Sequence, residues 1–333
     1  MSSLTIGLLG AGRIGKVHAA AIQSSTNGRL VAVADAFAES ATEIANRYEA
    51  QVRTIDEIMA DDAIDAVFIT TPTDMHADLI EQGARAGKAV FCEKPIDLDL
   101  ERVRRCLAVV AETGAKLMVG FNRRFDPHFR AVRDQIDAGA IGQVEMVNII
   151  SRDPGLPPVG YLERSGGLFR DMTIHDFDIA RFLLGEEPVS VSATGSVLVD
   201  PELSAIPDID SAAVTLVTGT GKIAQISNSR RATYGYDQRI EVLGSAGMAR
   251  AENIHENTIE VAVADGFGRP PLMNFFLERY MPAYEAEVET FVESVLGGHS
   301  LTPSGDAGLQ ALVLAEAANL SMAERRVVDV TEI

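Results

Sequence analysis

The sequence predicts an α/β protein with an N-terminal, doubly wound parallel sheet and a C-terminal α+β domain on a large, open, mostly antiparallel sheet. Over roughly the first 120 residues, short apolar runs alternate with segments of helical periodicity, which is typical of parallel strands covered by helices. After about residue 121, strand-like runs follow one another directly. A length of 333 residues agrees with about two domains. We therefore expect domains at 1–121 and 122–333 that pack firmly, without a flexible linker.

The N-terminal pattern predicts strands and helices in strict alternation. Each strand run is short, rich in Val and Ile, and bounded by Gly or Pro. The strands are expected at 4–9, 30–34, 66–70, 89–92 and 116–120, and the helices at 14–23, 39–48, 76–86 and 100–113. This order indicates a doubly wound parallel sheet.

The C-terminal pattern predicts adjacent strands joined by turns, as at Thr218-Gly219-Thr220-Gly221. The strands are expected at 144–151, 189–199, 212–217, 223–228, 239–243 and 258–263, the helices at 127–138, 173–184, 284–296 and 307–325, with a short last strand at 327–330. Strands without helices between them favour an open antiparallel or mixed sheet.

The charge balance argues against polyanionic partners. The chain has 29 basic and 48 acidic side chains, a net charge of −19. Such a surface repels nucleic acids and anionic membranes, so neither is expected as a partner. An anionic cofactor must therefore be held by backbone dipoles or by single basic residues. No apolar run reaches the roughly 18 residues of a membrane span.

Cysteine usage and the first residues indicate a reducing compartment. Cys92 and Cys106 have no paired spacing, so we expect two reduced, packed thiols rather than a disulfide or a zinc site. The first residues, MSSLTIGLLGAG, lack a basic leader, so no signal peptide is expected. The sequence therefore predicts a cytoplasmic protein.

A glycine motif, Gly10-Ala11-Gly12-Arg13-Ile14-Gly15, follows the first predicted strand and opens the first predicted helix. Gly10 permits a tight turn, Gly12 lets a pyrophosphate approach the backbone, and Gly15 allows close packing of helix on strand. Free N–H groups at the helix start bind phosphates. In this context the motif, including Arg13 and Ile14, predicts dinucleotide binding in a Rossmann domain. A glycine turn without a ligand is the structural alternative.

Asp35 ends the second predicted strand, 20 residues after Gly15. A carboxylate at this position accepts hydrogen bonds from the adenosine ribose and repels a 2′-phosphate. The next residues, Ala36, Phe37 and Ala38, supply no cation for that phosphate. The sequence therefore favours NAD over NADP.

Lys94 lies in Glu93-Lys94-Pro95, directly after the strand expected at 89–92. Ligands of open α/β sheets bind at the carboxyl edge of the strands. A lysine there can donate to a substrate oxygen and stabilise charge that develops on it. A surface ion pair with Glu93 is the structural alternative, and the Lys94–Pro95 bond is a candidate for the cis form.

Asp171 and His175 are four positions apart at the start of a predicted helix, so both point the same way. Histidine is the usual proton acceptor near neutral pH, and a nearby carboxylate can orient it. Alternatively, Asp171 caps the helix and His175 packs inside. Asp176 and Asp178 fall on other faces without a second histidine, so no metal site is expected.

Several segments together resemble the Gfo/Idh/MocA oxidoreductase family, and within it the inositol 2-dehydrogenases. The matching segments are GAGRIGKVHA, TPTDMHADL, FCEKP, VGFNRRFDPHF, SGGLFRDMTIHDFD and YGYDQRIEV. The resemblance covers nearly the whole chain. It implies an NAD(P)-binding Rossmann domain, an α+β domain for substrate and oligomer contacts, Lys94 as the motif lysine, and His175 as the acid–base group. Asp171 then orients His175 or binds substrate, and a homotetramer is implied.

The resemblance also implies further contacts. It adds Thr71, Pro72, His76, Glu93 and Lys94 to the cofactor site. Its polyol-contacting positions correspond to Asn122, Arg123, Arg152, Asp153 and Tyr236. Ser151 and Asp153 stand where many inositol dehydrogenases have His and Asn, and Asn122 stands where some have Met. These departures leave the exact polyol open, and Arg152 and Asp153 can also be read as a simple turn ion pair.

The resemblance thus implies an NAD-dependent oxidation of a secondary hydroxyl of a cyclic polyol, with myo-inositol converted to 2-keto-myo-inositol. Another inositol isomer such as scyllo-inositol, or an aldose such as glucose or galactose, is the alternative substrate. A protein that senses NAD or a sugar without catalysis is the alternative of another class.

Overall fold

The structure is a computed structural model that describes residues 3–333, and all of their side chains except that of Ser204. Met1 and Ser2, the start of the segment in which no signal peptide is expected, lie outside the described residues. The chain folds into two compact units. The first comprises the residues up to Asp126 together with Met281–Leu312, and the second comprises Pro127–Tyr280 and Val313–Ile333.

The first unit contains a six-stranded, wholly parallel sheet in the order β3-β2-β1-β4-β5-β6. The strands are β1 (Leu4–Leu9), β2 (Gly28–Ala34), β3 (Gln51–Val52), β4 (Ala66–Ile69), β5 (Ala89–Glu93) and β6 (Leu117–Gly120). β4 and β5 are buried along their whole length, as expected for parallel strands covered on both faces. The strand order reverses between β1 and β4, where ligands of such sheets bind.

Five helices connect these strands: α1 (Arg13–Ser24), α2 (Ala38–Tyr48), α3 (Ile55–Ala60), α4 (His76–Arg85) and α5 (Leu100–Thr113). β3 and α3 were not predicted, because two and six residues are too short for a clear periodic pattern. α3 begins with a capping box in which Thr54 and Glu57 bind each other's backbone N–H groups.

Aromatic rings form the centre of this unit. Phe68 and Phe91, on neighbouring strands, stack with ring centroids 4.5 Å apart. Phe291 meets Phe68 edge-on at 5.0 Å. The segment 281–312 therefore completes the core of the N-terminal unit.

The second unit contains a seven-stranded sheet in the order β12-β11-β7-β10-β9-β8-β15. Its strands are β7 (Val144–Arg152), β8 (Pro188–Ser196), β9 (Ser211–Thr218), β10 (Ile223–Ser229), β11 (Asp237–Gly244), β12 (Gly247–Ala251) and β15 (Val328–Asp329), and β13 (Val261–Val263) with β14 (Gly266–Gly268) forms a separate hairpin. β7 and β10 are parallel, and the other pairs are antiparallel. The predicted fold class is confirmed.

The remaining helices are α6 (Pro127–Asp137), α7 (Val159–Leu162), α8 (Ile174–Leu184), α9 (Phe276–Leu296) and α10 (Gly305–Glu324). α9 begins eight residues before the predicted start at Tyr284, because the structure accommodates Pro282 inside the helix. The strand expected at 258–263 is confined to Val261–Val263. Within residues 3–333, no helix has both the length and the apolar character needed to cross a bilayer.

Candidate active site

The glycine turn between β1 and α1 has the geometry that the motif predicts. Gly10 has φ +104°, and a Cβ there would lie 2.6 Å from the carbonyl of Thr70. A Cβ on Gly15 would lie 2.1 Å from the Gly10 oxygen, whereas a Cβ on Gly12 would meet no atom within 4 Å. Gly10 and Gly15 therefore allow close packing within the protein, and Gly12 leaves room for a ligand.

The start of α1 is suited to phosphate binding. Its N-cap is Gly12, which has no side chain to cap the first N–H groups. Beside this turn, the buried Thr71 hydroxyl has no hydrogen-bond partner among the described residues. Uncapped N–H groups and a hydroxyl without a partner are groups that phosphate and ribose oxygens can satisfy. The residues present here therefore fit NAD.

Asp35 binds the glycine turn directly. Its Oδ2 accepts a hydrogen bond of 2.5 Å from the Ala11 N–H, and its Oδ1 accepts one of 2.7 Å from the Phe37 N–H. A carboxylate oxygen has two lone pairs, so each oxygen can still accept from a ribose hydroxyl. Asp35 thus both shapes the turn and presents negative charge beside it.

Lys94 follows β5 at the carboxyl edge of the parallel sheet and is half-buried. The Lys94–Pro95 bond is cis, as the sequence allowed. Glu93 Oε2 accepts a hydrogen bond of 3.2 Å from the Lys94 N–H, and its Oε1 lies 2.7 Å from His18 Nε2. Glu93, expected to contact the cofactor, is thus buried against His18, a residue that the sequence reasoning did not select.

His76 connects two loops at this edge. Its Nδ1 lies 2.8 Å from the backbone carbonyl oxygen of Pro95, and its Nε2 lies 2.8 Å from the backbone carbonyl oxygen of Thr71. Thr71 and Pro72 follow β4, and Pro95 follows β5, so the ring ties the ends of two neighbouring strands together.

Asn122 and Arg123 lie in the short 3₁₀ turn that follows β6. Both are buried, at 3% and 4% exposure. Since β5 and β6 are parallel neighbours, these residues and Lys94 follow strand ends at the same edge of the sheet.

In the second unit, Asp171 and His175 lie on one helical stretch, as predicted, but its first turn is a π-helix. The π-turn spans Phe169–Thr173, and α8 follows with His175 in its first turn. Both residues are half-buried. π-turns are rare and frequently occur at functional sites, and the sequence pattern did not reveal this one.

Asp171 is bound by two side chains that the sequence reasoning missed. The Tyr161 hydroxyl donates a hydrogen bond of 2.6 Å to Oδ1, and Arg230 Nη2 donates one of 3.0 Å to Oδ2. Burial and the Asp171 charge raise the pKa of Tyr161, so its hydroxyl stays protonated and remains a donor.

A buried amide fixes the start of α8. Thr173 Oγ1 donates a hydrogen bond of 2.8 Å to Asn228 Oδ1. Asn228 Nδ2 in turn donates a hydrogen bond of 2.8 Å to Asp176 Oδ2. All three residues are at most 3% exposed. The residues on both sides of His175 are therefore tied to one side chain of β10. Asp178 pairs with Arg181 at 3.7 Å.

The ends of β7 and β10 meet because the two strands are parallel. The backbone N–H of Asp153 donates a hydrogen bond of 2.9 Å to the backbone oxygen of Ser229. Ser229 directly precedes Arg230 in the chain. The Asp153 charge is among the causes that raise the pKa of Tyr161, after burial and Asp171. The backbone of Asp153 is thus bonded next to Arg230, the residue that binds Asp171.

Arg152 and Tyr236 occupy the neighbouring strand ends. Arg152 Nη1 donates 3.1 Å to the Tyr234 hydroxyl and lies 3.7 Å from Asp237 Oδ2. The Tyr236 ring packs perpendicular to Tyr280 with centroids 5.9 Å apart. Arg152 therefore belongs to a local polar network around the buried Asp237.

Two family models match the chain. Residues 4–121 match the model described as oxidoreductase family, NAD-binding Rossmann fold, and residues 129–250 match the GFO/IDH/MocA C-terminal domain. Among curated relatives, the inositol 2-dehydrogenase of Rhizobium meliloti is 63% identical over 98% of this chain and 99% of its own length. The myo-inositol 2-dehydrogenase of Thermotoga maritima is 41% identical over 99% of both chains.

Solved structures agree over the same length. A putative myo-inositol dehydrogenase from Sinorhizobium meliloti superposes with a TM-score of 0.97 at 63% identity, over 98% of this chain and 100% of that one. The scyllo-inositol dehydrogenase of Lactobacillus casei, solved with bound NAD(H) and scyllo-inositol, has a TM-score of 0.92 at 30% identity, over 99% and 100%. With both domain models matched and relatives of this identity along its whole length, the chain belongs to the Gfo/Idh/MocA family of NAD-binding oxidoreductases.

Proposed function

We propose that this protein oxidises a secondary hydroxyl of a cyclic polyol with NAD, and that its substrate is myo-inositol, converted to 2-keto-myo-inositol. The observation that carries the proposal is the 63% identity to an inositol 2-dehydrogenase over 98% of the chain. The fold supports it, because the glycine turn and Lys94 lie at the ligand-binding edge of a parallel sheet.

The first unit holds the cofactor. The uncapped start of α1 and the open space at Gly12 accept the phosphates, with Arg13 and Ile14 in the same turn. Asp35 accepts the ribose hydroxyls and repels a 2′-phosphate, which selects NAD. When bound, NAD supplies the hydride acceptor for the oxidation.

Two side chains act on the reacting hydroxyl, and a third positions one of them. His175 takes the hydroxyl proton as the carbon loses hydride, since imidazole accepts a proton near neutral pH. Lys94 donates to the same oxygen and stabilises the negative charge that develops there. Asp171 orients His175 and favours the imidazolium that forms.

Polar groups select the polyol. Asn122, Arg123, Arg152, Asp153 and Tyr236 supply donors and acceptors for several hydroxyl groups. The second candidate substrate is scyllo-inositol, which is favoured by the similarity to a structure solved with that ligand. The two isomers differ at one carbon, so only a few hydrogen bonds separate them.

We propose a cytoplasmic homotetramer in which one face of the seven-stranded sheet packs against another copy. β7 and β10 alternate buried and half-exposed side chains. Their buried residues face α8, and the other face carries Met146, Ile150 and Ile223. Light scattering is expected to give the mass of four chains, and the mass of one chain would contradict the assembly.

Initial rates with NAD and with NADP, over inositol isomers, glucose and galactose, test the activity. We expect the highest kcat/KM with NAD and myo-inositol. A higher kcat/KM for scyllo-inositol or for a hexose would identify that compound as the preferred substrate in place of myo-inositol. NAD binding without turnover on any of these compounds would leave the sensor as the better description.

A further inference from the structure

Asp171 is held by two donors from distant parts of the chain. Tyr161, on α7, binds Oδ1 at 2.6 Å, and Arg230, directly after β10, binds Oδ2 at 3.0 Å. Each carboxylate oxygen therefore has its own donor. A carboxylate bound in this way has little freedom to rotate about its Cβ–Cγ bond.

We propose that Tyr161 and Arg230 are positioning residues that fix the Asp171 carboxylate for the oxidation step. The inference rests on the proposed function, in which Asp171 orients His175. Tyr161 and Arg230 act through Asp171, and neither needs to touch the substrate to do so.

Arg230 provides the rigid half of this arrangement. Arg230 is 1% exposed, and its backbone N–H donates a hydrogen bond of 2.8 Å to the backbone carbonyl oxygen of Asp210. A buried guanidinium is strongly unfavourable without an opposite charge, and Asp171 supplies that charge in a 3.0 Å ion pair. The need to neutralise Arg230 therefore holds Asp171 in one place.

Tyr161 is the more exposed of the two donors. The residue is 48% exposed, although its hydroxyl is bound to Asp171. Burial of the hydroxyl, the Asp171 charge and, to a smaller extent, the Asp153 charge raise its pKa, while Arg230 lowers it. The phenol therefore stays protonated over the working pH range and donates to Asp171 throughout.

Kinetics of Tyr161→Phe provide the first test, since this substitution removes one hydroxyl from a half-exposed ring. A hydrogen bond to a charged group contributes enough that we expect kcat to fall roughly 10-fold. The KM for NAD is expected to stay at its wild-type value, and the melting temperature to fall by no more than a few degrees. Tyr48→Phe, on α2 of the other unit, is the matched control and is expected to leave kcat unchanged.

A double-mutant cycle separates positioning from general structural damage. If Tyr161 acts through Asp171, adding Tyr161→Phe to Asp171→Asn causes no further loss of kcat. Equal losses in both backgrounds would overturn the inference, as would a Tyr161→Phe enzyme with wild-type kcat.

Arg230→Lys tests the second donor, with Arg231→Lys as the adjacent control. Arg231 donates instead to the backbone carbonyls of Val199 and Leu198, both at 3.2 Å. We expect kcat to fall in Arg230→Lys and to stay at the wild-type value in Arg231→Lys. If Arg230→Lys does not fold, the double-mutant cycle of Tyr161→Phe with Asp171→Asn tests the inference. A wild-type protein that forms no NADH from any polyol would overturn the proposed function itself, whereas an active wild type with unaffected variants overturns only this inference.

Discussion

The Asp35 carboxylate accepts a hydrogen bond of 2.5 Å from the backbone N–H of Ala11, in the middle of the glycine turn. Asp35 follows β2 and Ala11 follows β1, and these strands are parallel neighbours. The side chain that we propose selects the cofactor is therefore bonded directly to the backbone of the proposed phosphate-binding turn.

Asp35→Ala is expected to relax the selection of NAD, because it removes the charge that repels a 2′-phosphate. The ratio of kcat/KM for NAD to that for NADP should fall roughly 10-fold, a loss of about 1.4 kcal/mol of discrimination. Asp35→Asn keeps an acceptor for the Ala11 N–H and removes the charge, so it separates cofactor selection from turn stability. An unchanged ratio in both variants would contradict the assigned role.

His175→Ala is expected to lower kcat on the best polyol by about 10² to 10⁴, the usual contribution of a positioned acid–base group. NAD affinity should persist, because the glycine turn and Asp35 belong to the first unit and His175 to the second. His255→Ala is the control within the same unit, and Nδ1 of His255 lies 2.6 Å from the Pro270 oxygen. Wild-type turnover by His175→Ala would remove His175 from the mechanism.

Asp237 is expected to stabilise the fold in a pH-dependent way. Burial raises the pKa of Asp237, but hydrogen bonds from Arg239, Tyr234 and Asn253 outweigh burial and leave it below its ordinary value. A lowered pKa in the folded state gives stability that is present above the unfolded pKa of about 3.9 and lost as the pH falls through the folded pKa.

Asp237→Asn should therefore melt at a lower temperature than the wild type at neutral pH. The difference between the two proteins should narrow as the pH falls below about 4. Thermal melts of both proteins over a pH series measure this. A difference that stays constant down to acid pH would show that the charge of Asp237 contributes nothing.

Both cysteines are expected to be inert in the folded protein. Burial raises the pKa of Cys92, and burial, followed by the Glu81 charge, raises the pKa of Cys106 to about 12. Because the thiolate is the reactive form, a thiol reagent at about pH 8 should label neither residue until the protein is unfolded. Rapid labelling of the native protein would contradict the burial of these side chains.

The parts of the site that the sequence could predict are those formed by contiguous residues. Gly10, Gly12 and Gly15 act through local backbone geometry, and Lys94 follows a strand whose apolar run is plain in the sequence. Tyr161 and Arg230 were missed because each reaches Asp171 from another element, and nothing in their local sequence records that partner.

The same reasoning explains the differences in fold. The alternation of short apolar runs and helical periods predicted the parallel sheet, because burial on both faces leaves a strong pattern. β3 and α3 have too few residues for such a pattern, and the π-turn at Phe169–Thr173 has no signature in side-chain spacing.

The most direct test of the proposed function follows the hydride itself. The protein is incubated with NAD and with myo-inositol that carries deuterium on carbon 2, and both products are analysed by mass spectrometry. We predict NADH that contains one deuterium, together with 2-keto-myo-inositol. Absence of NADH, or NADH without deuterium, would contradict oxidation at that carbon.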